Sequence, residues 1–179
     1  MKSGFLLAGV SALAVVSAQS ATAQNFYFGL GYEAGTTGVD GPFSFDGEMS
    51  ATSLLAGYRY GFDNGLFLGG EAETSLSSEY DGDGSGSGEI DRMSRARLLI
   101  GYDFGKANVF AAYGRAWAEG VLVPFGPESY DGKTWGVGGE YEISERFDVR
   151  LEGLADELEN GSGYTYENRS VRAAAIVKF

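Results

Sequence analysis

Carboxylate side chains are the main candidates for acid–base chemistry in this sequence. Glu71 and Glu73 are two residues apart in a segment of alternating polarity, so they would share one face of a strand. Such a pair could serve as a general acid and a general base. However, the sequence contains no histidine, the commonest general base and metal ligand. Since arginines occur on the same predicted face, structural ion pairing is favoured, and we predict neither enzymatic activity nor a bound cofactor.

A second group of possible ligands lies in the acidic, glycine-rich segment 78–91. Asp81, Asp83 and Ser85 place oxygen atoms at the first, third and fifth positions of a calcium-binding loop, and a glycine follows at the sixth. The twelfth position, which requires a bidentate glutamate, is Arg92, and no helices flank the segment. A flexible acidic loop is therefore the favoured interpretation, and weak divalent-cation binding is the alternative.

The overall composition excludes further classes of protein. The chain carries 13 Lys and Arg against 25 Asp and Glu, a formal net charge of −12, which argues against nucleic acid as a partner. It has no cysteine, so the folded state cannot depend on disulfides. Its 29 glycines and 3 prolines suit closely packed strands better than a low-complexity chain.

The start of the chain has the features of an export signal. Lys2 supplies a positive charge, residues 5–16 are apolar but too few to span a bilayer as a helix, and a small-x-small cleavage site ends at Ala23. We therefore expect residues 1–23 to be a cleaved signal peptide and residues 24–179 to form one domain. A short membrane anchor is the alternative.

The remaining sequence alternates between apolar and polar residues in stretches of about ten, separated by Gly, Asp, Asn and Ser clusters. These stretches predict eight strands, at 25–35, 52–60, 66–76, 95–104, 108–119, 134–143, 147–155 and 170–179. None of them is apolar for long enough to form a membrane helix.

The fifth stretch has an ambiguous orientation, because an arginine and a tryptophan share one face. To keep Arg115 out of lipid, we predict that Tyr113, Arg115 and Trp117 face the interior. A bulge at Gly114 would reverse this orientation.

The alternation fits either a soluble barrel, with its apolar rows inside, or a membrane barrel, with its apolar rows outside. Connection lengths favour the membrane barrel, because short and long connections alternate as periplasmic turns and extracellular loops do. The short ones are predicted at 61–65, 105–107 and 144–146, and the long ones at 36–48, 78–91, 120–133 and 156–168.

Charge on the mixed face favours the same interpretation. Acids and bases nearly balance there, as a narrow lumen requires, because a buried charge without a partner costs several kcal/mol. Asp148 and Lys178 share this face. The predicted lumen ion network comprises Glu33, Arg59, Glu71, Glu73, Arg95, Arg97, Asp103, Glu140, Glu142, Arg150, Glu152 and Arg172. Aromatic residues near the strand ends of the opposite face would form interfacial girdles.

Several short motifs resemble those of the OmpA-like, OmpX-like and opacity-type small outer-membrane barrels. The sequences GEYEIS at 139–144 and VRLE at 149–152 resemble the sixth and seventh strands of the OmpA type. RARL at 95–98, followed by GY at 101–102, resembles the fourth strand of many small barrels. The resemblance covers nearly all of the sequence after the export signal.

The end of the sequence resembles the signal that the barrel-assembly machinery reads in this family. Its positions are Arg172, Ala174, Val177 and Phe179, with Ala174 in place of the usual glycine. No peptidoglycan-binding domain follows the last predicted strand, so anchoring to the cell wall is not expected.

The resemblance implies an all-β fold, an eight-stranded antiparallel transmembrane up-and-down β-barrel in the cell outer membrane. It also implies that Glu71, Arg97, Glu140 and Arg150 belong to a salt-bridge network that plugs the pore. The implied partners are outer-membrane lipid, lipopolysaccharide, the barrel-assembly machinery and host or surface ligands. A closed barrel has no free sheet edge, so we expect a monomer.

The expected function is that of a structural, surface-exposed protein that contributes to envelope integrity and surface interactions. A narrow, passive porin-like channel is one alternative, and it requires a water-filled lumen. An adhesin that binds ligands through its long loops is the other. Its candidate contact residues are Phe43, Phe45, Phe125, Tyr130, Tyr164 and Tyr166.

Overall fold

The described chain forms a single closed sheet. A computed structural model describes residues 25–40, 45–82, 88–122, 126–161 and 163–179, so the predicted signal peptide lies outside it. The strands are β1 (Phe26–Asp40), β2 (Phe45–Gly61), β3 (Leu66–Gly82), β4 (Gly88–Asp103), β5 (Ala107–Leu122), β6 (Gly126–Ser144), β7 (Phe147–Glu159) and β8 (Thr165–Lys178). Each pairs antiparallel with the next, and β8 pairs with β1. The predicted eight-stranded up-and-down barrel is confirmed. Within the described ranges, no helix is long and apolar enough to cross a membrane.

The period-two alternation determines which side of each strand faces the lumen. In β1, Phe28 and Tyr32 are each 57% exposed on the outer surface, whereas Tyr27 and Glu33 are only 3% and 1% exposed inside. The barrel thus presents apolar side chains outward and charged side chains inward, which is the arrangement a bilayer demands. The predicted sidedness agrees with this structure.

The strands extend well beyond the predicted ones at one end of the barrel. β3 has 17 residues and β6 has 19, although a tilted strand needs only about 9–11 to cross the bilayer. The predicted long connections were therefore wrong, because most of their residues belong to strands. Above the apolar band the outward face becomes polar, so the alternation of hydrophobicity ends while backbone pairing continues as far as Val39 and Phe45. We call this end the loop end.

The opposite end, which we call the turn end, has the short connections that the sequence predicts. Gly65 and Gly105 adopt φ values of 86° and 99°, which side chains other than glycine rarely tolerate. In the first turn, the Gly65 backbone N–H donates to the Phe62 carbonyl at 3.0 Å, and Leu66 N–H donates to the Asn64 side chain at 3.1 Å.

The fifth strand faces the opposite way to the prediction. Tyr113 and Trp117 are 60% and 45% exposed on the outer surface, and Arg115 lies there with them. The pairing of β5 with β6 is regular through Gly114, so no bulge intervenes. From Ala112 to Ala118, the inward-facing residues of β5 are instead small, namely Ala112, Gly114, Ala116 and Ala118.

Lumen volume explains this orientation. Arg97 lies opposite Gly114, and Arg95 lies opposite Ala116. Both arginines are buried, so the small residues on β5 leave the space that the two guanidinium groups occupy. The predicted orientation followed from the free-energy cost of placing Arg115 in lipid. It did not take into account the volume of the two arginines on the neighbouring strand.

Candidate functional site

Inward-facing charged side chains from seven of the strands meet in the lumen and form the candidate site. Of the twelve predicted network residues, the structure brings ten together inside the barrel. These are Glu33 (β1), Arg59 (β2), Glu71 and Glu73 (β3), Arg95 and Arg97 (β4), Glu140 (β6), Arg150 and Glu152 (β7), and Arg172 (β8).

The middle of the network links three arginines through two glutamates. Arg97 Nη2 and Arg150 Nη1 each lie 2.5 Å from an oxygen of Glu71. Arg97 Nη1 lies 2.6 Å from one oxygen of Glu152, and Arg172 Nη2 lies 2.5 Å from the other. All five side chains are 0% exposed. Each carboxylate therefore bridges two guanidinium groups, so no charge in this layer lacks a partner.

On the loop side of this layer, one arginine serves three carboxylates. Arg95 lies 2.8 Å from Glu33, 2.7 Å from Glu73 and 2.7 Å from Asp156. Asn168 Nδ2 donates to Glu33 at 3.1 Å and to Asp156 at 2.8 Å, which adds neutral donors where acids are in excess. Arg172 also pairs with Glu73 and so joins this group to the middle layer.

On the turn side, Glu140 collects donors from three strands. Both terminal nitrogens of Arg59 lie 2.5 Å from its oxygens, which is a bidentate arrangement. Arg150 Nε donates to it at 2.8 Å, and Asn108 Nδ2 donates at 2.9 Å. Arg150 therefore connects this group to Glu71 in the middle layer.

Two predicted network residues lie elsewhere. Asp103 is exposed at the last position of β4, and its carboxylate accepts a hydrogen bond from the Gly105 backbone N–H at 2.6 Å. Its prediction as a network member was wrong, because a carboxylate at a strand end can reach the adjacent turn. Glu142 is half-exposed at the turn-end mouth, where Lys178 contacts it at 3.0 Å and contacts Asp148 at 2.8 Å.

Several side chains of the network were not predicted from the sequence, among them Asn108. Asp156, Asn168 and Ser170 were assigned to a loop or left out, yet they have the same inward parity as Glu152 and Arg172. Continuing the alternation into the polar strand extensions would have found them.

Another residue that was not predicted is Tyr27, an aromatic on the charged face. Its hydroxyl donates to Glu71 at 2.7 Å. Its ring lies 4.9 Å from the Arg59 guanidinium carbon and 5.4 Å from that of Arg150. Both contacts are cation–π interactions, which supplement the ion pairs on the turn side of the network.

Apolar clusters lie toward both ends of the barrel. Toward the loop end lies a cluster of Val39, Met93, Ala116, Ala118, Tyr130, Leu158 and Tyr166, with Tyr164 packed against it. Toward the turn end lie two smaller clusters, Tyr27, Leu55, Ala174 and Ile176 in one and Phe67, Leu99, Phe110 and Ala112 in the other. The described lumen is thus a layered core, with apolar side chains on the loop side of the buried charges and, on the turn side, apolar rings that stack with Arg59.

The candidate ligand-binding residues of the loops are not arranged as the adhesin alternative requires. Tyr130 and Tyr166 are 6% and 3% exposed and point into the lumen, so they cannot present their rings to a partner. Tyr164 is half-buried against the same cluster. Phe43 and Phe125 lie outside the described residues. The same is true of the Phe45 side chain.

The candidate calcium ligands also lie mostly outside the described residues. This applies to Asp83, Ser85 and the side chain of Asp81, which lies on β3. In the part of the chain that is described, no group of three or more acidic side chains is arranged to hold a metal ion.

The four residues of the predicted assembly signal lie along β8 and at its end. Arg172 and Ala174 face the lumen, at 0% and 7% exposure. Val177 is half-buried. Phe179 is 58% exposed on the outer surface, and its ring packs edge-on against Phe28 with centroids 5.7 Å apart.

Three solved structures share this architecture at low sequence identity. The attachment invasion locus protein Ail of Yersinia pestis is 13% identical over 86% of this chain and 99% of that one, with a TM-score of 0.55. Neisserial surface protein A is 14% identical over 85% and 97%, with a TM-score of 0.53. OprG from Pseudomonas aeruginosa is 12% identical over 88% and 97%, with a TM-score of 0.51. These similarities establish the fold.

A further structure of Ail, with a TM-score of 0.52, contains the heparin analogue sucrose octasulfate. A search among curated proteins finds no significant match to the sequence. Residues 5–179 match the family described as outer membrane protein beta-barrel domain, and the chain therefore belongs to this family of barrels of the cell outer membrane.

Proposed function

We propose that the protein is a closed, non-conducting surface barrel whose ionic core stabilises the fold and whose loop-end rim makes the external contacts. The observation that carries this proposal is the layered lumen. Arg97, Arg150 and Arg172 are fully buried and each is paired with carboxylates, and apolar clusters lie toward both ends of the barrel. A permeating ion would have to separate these pairs and cross the apolar layers, which are unfavourable for ions.

Planar-bilayer recording tests the closed lumen. We expect no discrete conductance steps from the reconstituted wild-type protein. A double variant, Glu152→Gly with Arg172→Gly, removes two of the largest fully buried side chains and serves as the opened control. Its folding is checked by heat-modifiable gel migration. Discrete steps from the wild-type barrel would refute the proposal and favour the porin-like channel.

The rim proposal rests on the charge of the strand extensions. Outward-facing exposed acids outnumber bases there, the acids being Asp40, Asp46, Glu48, Glu119, Asp131, Glu159 and Glu167 and the bases being Arg92, Arg115, Lys133 and Arg169. Such a rim attracts a basic partner and repels a sulfated one. We therefore propose a cationic external ligand, which differs from the anionic sulfate ester found with Ail.

Binding of fluorescent polylysine to intact cells that express the barrel tests the rim. We expect Asp46→Asn with Glu48→Gln to weaken binding by about two- to fivefold, because each exposed charge is worth up to about 1 kcal/mol. Asp63→Asn with Glu145→Gln removes the same charge at the turn end and should change nothing. Stronger binding of heparin than of polylysine would exclude a cationic ligand.

The remaining proposals follow from the sequence and the family. We propose that residues 1–23 are removed on export and that the barrel-assembly machinery reads the end of β8 through Phe179. We also propose a monomer, since every strand edge of the described barrel is paired. No enzymatic activity is proposed, because the sequence lacks histidine and the luminal carboxylates are engaged by arginines.

A further inference from the structure

A groove crosses the lipid-facing surface of β2 to β5. It encloses about 870 Å³, and small residues on three neighbouring strands form its floor. These are Ala56 on β2, Gly70 and Ala72 on β3, and Ala96 on β4. Bulkier side chains stand on either side, among them Tyr58, Leu98 and Tyr113. The outer surface is therefore not a uniform apolar cylinder, because it has an elongated depression at this place.

Strand register gives the groove its direction. Phe28, Ala56, Ala72, Ala96 and Arg115 are successive cross-strand partners from β1 to β5. Strands lie about 4.8 Å apart, so this row is roughly 19 Å long, slightly more than one leaflet of a hydrocarbon core that is about 30 Å thick. Because barrel strands tilt by about 35–45°, the row rises obliquely toward the loop end as it approaches Arg115.

A basic pair stands at the loop side of this row. Arg115 lies directly opposite Lys133 on β6, and both side chains face outward. The two tryptophans of the whole sequence flank them, Trp117 being two residues farther along β5 and Trp135 two residues nearer the turn end on β6. Tryptophan concentrates at membrane–water interfaces. The basic pair therefore lies at the interface on the external side, where the phosphates of outer-leaflet lipids are found.

The acids near this pair do not neutralise it firmly. Arg115 pairs with Asp131 through Nη2, but both side chains are 58% exposed, and such pairs are worth about 0–1 kcal/mol. Lys133 has Glu157 opposite it on β7. A phosphate carries more negative charge than one carboxylate and offers three acceptor oxygens, which a guanidinium can bind in a bidentate manner. It can therefore compete with Asp131 for Arg115.

We propose that this groove is a binding site for lipopolysaccharide. An acyl chain of the lipid A part would lie along Ala56, Ala72 and Ala96, and a lipid A phosphate would contact Arg115 and Lys133. The small floor accommodates a chain that the neighbouring apolar surface, with its protruding Leu and aromatic side chains, would not. An acyl groove that ends at two cations matches a phosphorylated lipid better than a second copy of the chain.

The two tryptophans provide a direct readout, because all of the tryptophan emission comes from the proposed site. The protein is placed in nanodiscs of phosphatidylcholine with brominated acyl chains, which quench tryptophan. Unbrominated lipopolysaccharide is then added. We expect emission to rise and to saturate near one lipopolysaccharide per barrel, as the brominated chains are displaced. Phosphatidylglycerol and dephosphorylated lipopolysaccharide should require at least about tenfold more lipid for the same effect.

Variants separate the two halves of the site. Arg115→Gln with Lys133→Gln should raise the half-saturating concentration about tenfold, and Ala96→Leu should do so by filling the floor. The matched controls are Arg169→Gln and Ala175→Leu, an exposed base and an outward alanine on β8. Both should behave as wild type. Heat-modifiable gel migration shows which variants fold. If Ala96→Leu does not fold, the charge variant alone still tests the proposal.

Three results would overturn the proposal. One is an equal response of wild type and the charge variant. Another is saturation by phosphatidylglycerol at the same concentration as lipopolysaccharide, which would indicate a general anionic-lipid surface. The third is a dimer, detected by light scattering of the purified protein, that masks the tryptophans and dissociates in the charge variant.

Discussion

Ion pairs inside the barrel and the ion pair of Arg115 with Asp131 on its outer surface use the same functional groups in opposite surroundings. The side chains of Arg97 and Glu71 are both 0% exposed, and each has further partners. Those of Arg115 and Asp131 are each 58% exposed. A buried charge that loses its partner costs about 3–5 kcal/mol, whereas an exposed pair is worth about 0–1 kcal/mol. Burial, and not the identity of the residues, therefore decides what each pair contributes.

The same contrast applies to the small residues that surround the pairs. Inside, Gly136 leaves room for the contact between Arg97 and Glu152, and a Cβ added there would lie 2.6 Å from Glu152 Oε1. Outside, a Cβ at Gly153 would meet only the Val137 carbonyl oxygen, at 4.0 Å. Gly136 is thus a packing requirement in the lumen, whereas Gly153 on the membrane face is tolerant of change.

The largest effect is expected from Glu71→Gln. This change preserves shape but removes the charge that bridges Arg97 and Arg150, so two buried guanidinium groups lose a counterion. We expect the free energy of unfolding to fall by about 3–5 kcal/mol. Urea unfolding in lipid vesicles, followed by tryptophan emission, measures it. A change below about 1 kcal/mol would mean that water or rearranged acids solvate the network, and the sealed-lumen interpretation would then be wrong.

A smaller effect is expected from Gly136→Ala. The added methyl group would press on Glu152 Oε1 and lie 3.3 Å from Arg97 Nη1, so the ion pair must shift to accommodate it. We expect a loss of about 1–3 kcal/mol, which is typical of overpacking. Gly153→Ala is the matched control on the adjacent strand, and it should change stability by less than about 0.5 kcal/mol. Equal effects of the two changes would contradict the packing difference between lumen and outer surface.

The sequence predicted the inner surface of the barrel better than its height or its fifth strand. Ten of the twelve residues predicted for the network lie in the lumen, because alternation is a local property, visible wherever one face contacts lipid. It fails for Asp156 and Asn168, which lie where the outward face has become polar, so that alternation no longer marks the strand although strand pairing continues.

The orientation of Arg115 depended on information that β5 alone does not contain. The deciding factor is the bulk of Arg95 and Arg97 on β4, which becomes relevant only once the register opposes them to Ala116 and Gly114. The apolar clusters toward both ends of the barrel likewise depend on side chains from many strands meeting at one height. Such long-range relations follow from closure and shear of the barrel, not from any single segment.

The smallest effect is expected from Asp131→Ala, which removes the external counterpart of the buried pairs. Because both partners are more than half exposed, we expect the free energy of unfolding to change by less than about 1 kcal/mol, and by still less at high salt, where exposed charges are screened. The same urea titration at low and high ionic strength measures both quantities. A loss comparable to that of Glu71→Gln would show that this pair is buried within the bilayer, and the proposed position of Arg115 at the interface would have to be abandoned.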